Sequence, residues 1–324
     1  MGFYYIFEVN SVAANYRDLY NALIVSKMDA VIVEYGRHNH TFTYIPYSHK
    51  ASSCALDDLY DLVIDNTVFY TFSEKEIISL HEEIGLLDDL RSAAKYSFAE
   101  LLPKRMNPNS DGTIGEVLLD LLIQAYEPNS KKLIARAKFT EMGKKSEITG
   151  YDALYFTKQG ESITLWLGQA KAGSEKYCKA DIKKDLNTKF TEEYFASTAF
   201  YISTRSDSKE LSGILSEMNK MCLQAQKEQW SKKEKTDALI EILVKHNVTV
   251  KIPCLLAYTK DIYSNPALLK EKVEECATQM FEAFDAENYS IGLTLPFNIV
   301  FYIFPIKDVS YIRNRIVTLK KEVV

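Results

Sequence analysis

The sequence predicts an α/β protein in which helices cover a mixed sheet, with a smaller α/β domain at the N-terminus. Apolar runs of strand length alternate with longer segments whose apolar residues recur at helical spacing. Hydrophobic residues make up 47% of the 324 residues, with only 12 Gly and 8 Pro, as in ordered globular proteins. One turn-rich stretch, residues 103–112, interrupts this pattern. We therefore divide the chain into residues 1–100 and 101–324.

The first hundred residues are predicted to contain short strands followed by longer helices. Strands are expected at residues 2–9, 30–35 and 41–47, with Pro46 ending the third. Apolar positions at helical spacing predict a helix over residues 56–72. Ser73, followed three residues later by Glu76, is an N-capping signature for one or two helices over residues 73–102.

The remaining residues are predicted to form the larger α/β unit. Its first helix is expected at residues 113–126, where apolar side chains repeat along one face. Strands are expected at 132–139, 151–156, 162–170, 249–258 and 297–306. Further helical segments are expected at about 177–201, 209–230, 233–245, 265–287 and 309–320.

Residues 151–170 carry the signature of a β-hairpin, because two apolar runs flank a polar turn that contains Gly160. Side chains alternate across a strand, so Gln169 and Lys171 share one face. A four-residue loop, 158–161, would place Asp152 opposite Leu167 and diagonal to Gln169. A carboxylate, an amide and an ammonium are therefore expected to meet at one end of the hairpin.

The charge of the chain is unevenly distributed around this hairpin. The formal net charge is −5, yet residues 131–190 contain 13 Lys and Arg against 7 Asp and Glu. Such runs are commonly solvated faces and loop ends. A cationic rim around a site for a polyanion is the other interpretation, and charge alone does not decide between the two.

Several other classes of protein are disfavoured. The five cysteines are odd in number and form no C-x-x-C pair, which argues against a disulfide framework or a zinc site and favours a reducing compartment. No apolar run reaches membrane-spanning length and no secretory signal is evident, so we expect a cytoplasmic protein. No P-loop, G-x-G-x-x-G or G-x-S-x-G motif occurs. The run R-H-N-H at residues 37–40 offers two candidate chelating histidines but is better interpreted as a polar loop.

Four residues occur in the same order as in a known catalytic core. They are Glu116 in the first turn of a helix, Asp152 at the start of a strand, and Gln169 and Lys171 at the end of the next strand. This set resembles the PD-(D/E)XK nuclease superfamily, with Gln169 in place of the commoner Glu. The fuller pattern G-E-V-L-L-D-L-L, T-G-Y-D-A-L and L-G-Q-A-K-A is similar to HamA, the nuclease subunit of Hachiman anti-phage defence systems. That similarity covers residue 101 onward.

The resemblance implies a restriction-endonuclease-like fold and a nuclease that hydrolyses phosphodiester bonds, of DNA rather than RNA, with Mg²⁺ or Mn²⁺. It implies Glu116, Asp152 and Gln169 as metal ligands, Lys171 as the residue that orients water and offsets charge, and a helicase as partner. A neutral Gln169 lowers the charge available to a metal. The alternative is a catalytically weakened nuclease fold that binds nucleic acid or a partner protein.

Each of the four residues also has an ordinary interpretation. Thr113 and Glu116 have the spacing of a capping box, which would stabilise the helix without any catalytic role. Asp152 alone would be a strand-start carboxylate, and Lys171 alone a solvated strand end. Gln169 lies in an apolar run, where a buried amide requires hydrogen-bonding partners.

Overall fold

A mixed sheet lies at the centre of the molecule, and its strands come from both ends of the sequence. The structure, a computed structural model, describes residues 15–109, 111–139, 150–206, 208–289 and 291–323. Within these residues the strands are β1 (Ile32–Glu34), β2 (His38–Asn39), β3 (Thr43–His49), β4 (Lys131–Lys132), β5 (Ala153–Gln159), β6 (Ser162–Ser174), β7 (Val248–Thr259) and β8 (Phe297–Ile306). The strand predicted at residues 2–9 lies outside the described residues.

The sheet is parallel in its middle and antiparallel at both edges. Its strand order is β1-β3-β8-β7-β6-β5-β4, and β2 also pairs with β3. Strands β3, β8, β7 and β6 run parallel to their neighbours in this row, whereas the β1, β2, β4 and β5 pairings are antiparallel. Strands in the parallel part are covered on both faces, which explains why β7 and β8 are almost continuous apolar runs.

Helices cover both faces of the sheet and share a buried apolar cluster with each. The first cluster includes residues of α1 (Tyr16–Tyr20), α2 (Ser26–Val31), α3 (Ala55–Thr71), α4 (Glu74–Ile84), α5 (Leu90–Tyr96), α6 (Thr113–Tyr126) and α12 (Val309–Lys321). The second includes residues of α7 (Glu175–Thr188), α8 (Glu192–Arg205), α9 (Ser212–Lys227), α10 (Lys232–Lys245) and α11 (Leu269–Asp285). The predicted fold class, a mixed sheet flanked by helices, is confirmed.

The helix starts follow the predicted local chemistry where the cap is encoded nearby. Ser73 caps α4 in a full capping box, in which its hydroxyl accepts from the Glu76 amide while the Glu76 carboxylate accepts from the Ser73 amide. By contrast, α6 has no side-chain cap, and the Thr113 hydroxyl donates to Asp111 instead. The capping-box interpretation of Thr113 and Glu116 is therefore wrong, and the Glu116 side chain has other partners.

The strand predicted at residues 132–139 is wrong for most of its length. Only Lys131 and Lys132 pair with β5, after which the chain leaves the ladder and forms a 3₁₀ turn at Arg136–Phe139. Leu133 and Ile134 are buried without continuing the strand. An apolar run indicates that a segment is buried, but it does not by itself distinguish a strand from a buried irregular segment.

Pro46 does not end its strand, because β3 continues to His49. Pro46 pairs in register with Ile303 of β8, and its carbonyl accepts from the Tyr35 amide at 3.0 Å. Proline lacks only the amide donor. β1 ends at Glu34, so Pro46 lies just beyond the paired part of β1 and β3. The amide hydrogen bond that proline cannot make is therefore absent only where the β1–β3 ladder has ended.

The sheet continues across the boundary placed after residue 100. β3 lies within the first hundred residues, yet it pairs along four positions with β8 near the C-terminus. The first cluster likewise joins residues from α3 with residues from α6 and α12. The division into residues 1–100 and 101–324 stays a prediction.

Candidate active site

The β5–β6 hairpin places the predicted residues at one end of two neighbouring strands. Gln159 pairs with Ser162, so the turn contains two residues and begins at Gly160, whose φ of 60° lies in the left-handed region. The predicted four-residue loop is therefore wrong, and Leu167 pairs with Leu154 rather than lying opposite Asp152. The register differs by two residues, which preserves the face on which each side chain lies.

Asp152 lies just before β5 and is tied to β6 through its backbone and its side chain. Its amide donates to the Gly168 carbonyl at 2.8 Å, and its Oδ2 accepts from the Ala170 amide at 2.8 Å. Continuing the ladder beyond Ala153 and Gly168 puts Asp152 across from Gln169. The carboxylate is thus fixed beside the strand that carries Gln169 and Lys171.

Helix α6 lies directly against these strands because small residues face each other at the contact. A Cβ added at Gly168 would lie 2.8 Å from the Ala153 Cβ and 2.9 Å from the Leu119 Cδ2. A Cβ added at Gly115 would lie 3.4 Å from the Ala172 Cβ. This close approach brings Glu116, in the first turn of α6, towards the hairpin.

Glu116 is a buried carboxylate whose two oxygens are both engaged. Oε1 accepts from Arg105 Nη1 at 2.8 Å. Oε2 accepts from the Tyr70 hydroxyl at 2.6 Å and lies 2.9 Å from Arg136 Nη2. Burial raises the pKa of Glu116, but the Arg136 and Arg105 guanidiniums and the Tyr70 hydrogen bond outweigh it and lower this pKa to about 2. Glu116 is therefore ionised at neutral pH.

Asp152 lies in the opposite electrostatic setting. Burial raises its pKa above the usual value, and the Glu116 carboxylate raises it further, while Lys171, the Ala170 amide and Arg136 act against this shift. A carboxylate that is desolvated and repelled by a second carboxylate gains most from an added cation.

Lys171 is held by a carboxylate that the sequence analysis missed. Its Nζ lies 2.7 Å from Asp185 Oδ2 on α7, the helix that follows β6. Burial lowers the pKa of Lys171, but the Asp152 and Asp185 carboxylates more than compensate and leave it above its usual value. Lys171 is therefore a protonated cation at neutral pH.

Gln169 is fully buried and both ends of its amide have partners. Its Nε2 donates to the Gly150 carbonyl at 3.2 Å, and its Oε1 accepts from Lys189 Nζ at 2.9 Å. Lys189 Nζ also lies 3.2 Å from Asp185 Oδ2. The Lys189 ammonium thus supplies a positive charge directly at the oxygen of this neutral amide.

Five side chains of this arrangement were not predicted: Tyr70, Arg105, Arg136, Asp185 and Lys189. Asp185 and Lys189 have the i,i+4 spacing of a helical ion pair and follow the Q-x-K strand closely, so that pattern was a usable signal. The arginines and Tyr70 approach Glu116 from segments distant in sequence, and no local pattern indicates them.

The donor chemistry of the site suits a hard divalent cation. Asp152 offers a carboxylate and Gln169 an amide carbonyl, which are oxygen ligands of the kind that Mg²⁺ and Mn²⁺ bind. Glu116 is less available, because two guanidiniums and a hydroxyl already contact its oxygens. In the described part of the chain, no group of three or more His, Cys, Asp or Glu side chains is placed to hold a metal. The Gln169 oxygen is likewise engaged, by the Lys189 ammonium, so a metal here would depend first on Asp152, with backbone and water oxygens, and Gln169 would join only by exchanging Lys189 for the metal.

The histidines of the R-H-N-H run are packed rather than free to chelate. His38 Nε2 lies 3.1 Å from Glu274 Oε2, and the His40 ring lies 4.3 Å from the Phe281 ring. The interpretation as a polar loop is wrong for His38 and Asn39, which form β2 and pair with β3.

Helix α6, the β5–β6 hairpin, α7 and β7 together belong to a mixed α/β protein whose central sheet is flanked by helices. The family model described as HamA matches residues 21–319, so the chain belongs to the HamA family and is a Hachiman-related protein. The match begins well before residue 101, where the resemblance seen in the sequence began. No curated protein and no solved structure matches the chain. Among the described residues, no helix has the length and apolarity needed to cross a membrane.

Proposed function

We propose that this protein is a divalent-metal-dependent nuclease that cleaves DNA as the effector of an anti-phage defence system. One observation carries the proposal: Asp152, Gln169 and Lys171 lie at the same end of one hairpin, with Asp185 and Lys189 completing a connected charged network. Isolated surface charges rarely form such buried, mutually paired sets. Membership of the HamA family supports the same proposal.

The metal, Mg²⁺ or Mn²⁺, would be held by Asp152 and Gln169, with Glu116 as the third ligand implied by the motif. Its chemistry would be to polarise a phosphoryl oxygen and to activate a water molecule. Lys171 is protonated, so its role is to orient the nucleophile and offset the charge that develops on the phosphorus oxygens, rather than to act as a base. Asp185 holds the Lys171 ammonium in place.

The partner implied by the family is a helicase that delivers DNA to the nuclease in the cytoplasm. Net negative charge outside residues 131–190 makes strong binding of DNA by the isolated chain harder, which agrees with a need for delivery.

A second function has a specific observation in its favour. Both Glu116 oxygens are bound by arginine and tyrosine side chains, and Gln169 carries no charge. A site with so few free carboxylates could bind nucleic acid or a partner protein without cutting. This alternative is a weakened nuclease fold that serves as a binding module.

Plasmid cleavage tests the proposal and separates the two functions. The chain, alone and with its helicase partner, is incubated with Mg²⁺ or Mn²⁺, and Asp152→Asn and Lys171→Met are compared with the exposed-site controls Asp237→Asn and Lys232→Met. We expect each site variant to lose about 100-fold or more in cleavage rate, while the controls stay within about twofold.

Cleavage that survives in both site variants would eliminate the site. DNA binding without cleavage, in either metal and with the helicase present, would favour the binding module.

A further inference from the structure

An exposed aromatic ring lies at the end of β6, beside the candidate active site. Tyr177, in the first turn of α7, is 46% exposed. Its ring packs on Gly173, because a Cβ added at Gly173 would lie 3.1 Å from Tyr177 Cδ1 and 3.7 Å from Tyr177 Cε1. The absence of a side chain at Gly173 lets the ring rest on the β6 backbone, while much of Tyr177 stays open to solvent.

Tyr177 lies on the same face of α7 as the carboxylate that holds Lys171. Tyr177, Asp181 and Asp185 follow one another at four-residue spacing along this helix. Asp185 Oδ2 lies 2.7 Å from Lys171 Nζ. Burial and the Asp181 carboxylate raise the pKa of the Tyr177 hydroxyl, and the Lys171 ammonium acts against this rise. The ring is therefore a neighbour of the candidate site and not a remote surface residue.

Arg313 of α12 borders the same point of β6. Its Nη2 donates to the Ala172 carbonyl at 2.7 Å and lies 4.0 Å from the position of a Cβ added at Gly173. In the part of the chain that the structure describes, its Nε has no hydrogen-bond partner and no carboxylate forms an ion pair with its guanidinium. A guanidinium carries five N–H donors, so the two Nη groups of Arg313 retain donors for a ligand.

Four consecutive residues of β6 hold these groups and the candidate site together. In chain order, the Ala170 amide donates to Asp152, Lys171 follows, the Ala172 carbonyl accepts from Arg313, and Gly173 supports the Tyr177 ring. A strand rises about 3.3 Å per residue, so Gly173 lies about 6.6 Å beyond Lys171 along β6. One nucleotide of an extended strand spans a distance of this size.

We infer that Tyr177 stacks on an unpaired base, and that Arg313 binds the phosphate, of the nucleotide next to the phosphodiester held at Lys171. The inference rests on the proposed nuclease function and adds a requirement on the substrate. A base that is paired and stacked within a duplex cannot lay its face on a side chain, so the base beside the cleaved bond must be unpaired. Every base has a π-face, and guanidinium groups are strong donors to phosphate oxygens, so we expect no base preference at this position.

Binding measured without catalysis tests the stacking role of Tyr177. Fluorescence anisotropy with a labelled single strand of about 20 nucleotides, and with a duplex of the same length, is recorded in EDTA, so that no metal-dependent cleavage interferes. Tyr177→Ala removes the ring and Tyr177→Phe keeps it. Tyr96→Ala, at the end of α5, is the control, because Tyr96 is 52% exposed at another place on the surface.

Tyr177→Ala is expected to bind the single strand about fivefold or more weakly than the native chain and the duplex within about twofold. Tyr177→Phe and Tyr96→Ala should stay within about twofold on both, because the stacking ring is kept in each.

Arg313→Gln tests the phosphate contact. We expect it to weaken binding of single strand and duplex alike by about fivefold at about 50 mM salt, with a salt dependence reduced by roughly one counterion. Arg313→Lys keeps the charge without the planar fork and should restore the salt dependence. Arg91→Gln, which changes a side chain that is 50% exposed on α5, should stay within about twofold. Thermal circular dichroism checks that each variant is folded.

Equal weakening of single strand and duplex by Tyr177→Ala, or no binding of either DNA by the native chain, would overturn the inference. The inference and the proposed function fail in different ways. Asp152→Asn is expected to lose cleavage with metal while keeping native binding in EDTA. Native cleavage together with unchanged single-strand binding by Tyr177→Ala would remove the stacking site and leave the nuclease. Binding that depends on Tyr177 and prefers the single strand, without cleavage in Mg²⁺ or Mn²⁺, would keep the nucleotide site and remove the nuclease.

Discussion

At the scale of single residues, charge compensation organises the candidate site. Gln169 has a cation, Lys189, at its oxygen where the commoner Glu would bring a negative charge. Glu116 is matched by two guanidiniums, and Lys171 by Asp185. Of the two predicted carboxylates, Asp152 has a pKa raised above its usual value and Glu116 a lowered one, so Asp152 is the carboxylate more suited to an added cation.

Glu116→Gln tests this compensation through the pH dependence of stability. The pKa of Glu116 is lowered to about 2 in the folded state, so its contribution to stability is present above its ordinary pKa and is lost as the pH falls towards 2. We expect the variant to lose on the order of 2–3 kcal/mol near pH 7 and less near pH 3.

Urea unfolding in EDTA at both pH values provides the measurement, with the exposed Glu282→Gln as control. Part of the loss is offset, because removing the Glu116 charge also relieves the repulsion on Asp152. A loss that is the same near pH 3 and pH 7 would contradict the assigned ionisation.

The sequence could indicate some of these residues and not others. Asp152, Gln169 and Lys171 follow from strand alternation and from the order of the motif. Arg105 and Arg136 could not be predicted, because the fold brings them to Glu116 from a turn-rich segment and from a stretch that looked like a strand. Such ion pairs between residues distant in sequence depend on tertiary packing, which the local periodicity of a sequence does not indicate.

At the scale of elements, close packing of α6 on the hairpin sets the geometry of the site. The predicted helix at residues 113–126 is confirmed at both ends, since its apolar stripe is long and a turn-rich segment precedes it. The hairpin was also predicted, but with a four-residue turn in place of the two-residue turn observed. The two turns differ little in local free energy, so the sequence does not distinguish them.

Gly168→Ala is expected to separate α6 from the hairpin. The new methyl group would lie 2.8 Å from the Ala153 Cβ and 2.9 Å from the Leu119 Cδ2, so helix or strand must shift. We expect a loss of about 1–3 kcal/mol in the free energy of unfolding and a lower cleavage rate, because Glu116 moves relative to Asp152.

Gly213→Ala is the matched control, since Gly213 lies near the start of α9 with nothing within 4 Å of an added Cβ. It should leave cleavage unchanged and stabilise the protein by up to about 1 kcal/mol. Chemical denaturation of both variants checks the comparison. Equal stabilities would show that α6 tolerates the displacement.

At the scale of the whole molecule, the N-terminal third completes the sheet. β3 pairs with β8 in parallel, and α3 packs against α6 in the first cluster. A non-local pairing of this kind leaves little trace in the sequence, since each strand shows only that it is buried. For this reason the sequence indicated a break near residue 100 without indicating the contacts that cross it.

Expression of residues 101–324 alone tests the proposed domain division. Removing β3 exposes an edge of β8 and removes part of the core around α6, so we expect the fragment to unfold without a cooperative transition. Thermal circular dichroism and limited proteolysis provide the measurement, and co-expression of residues 1–100 serves as a rescue control. A cooperative transition close to that of the full chain would support two independent domains.

The position of β8 also bears on how the protein is made. β8 is the last strand in the sequence, yet it lies between β3 and β7 in the sheet. During synthesis, β3 emerges from the ribosome long before β8, its parallel partner. The two strands on either side of β8 can therefore join one sheet only once β8 has been made, and termination before residue 297 would release a product with an unfilled gap between them. For a protein of a defence system, this order couples completion of the sheet to translation of β8.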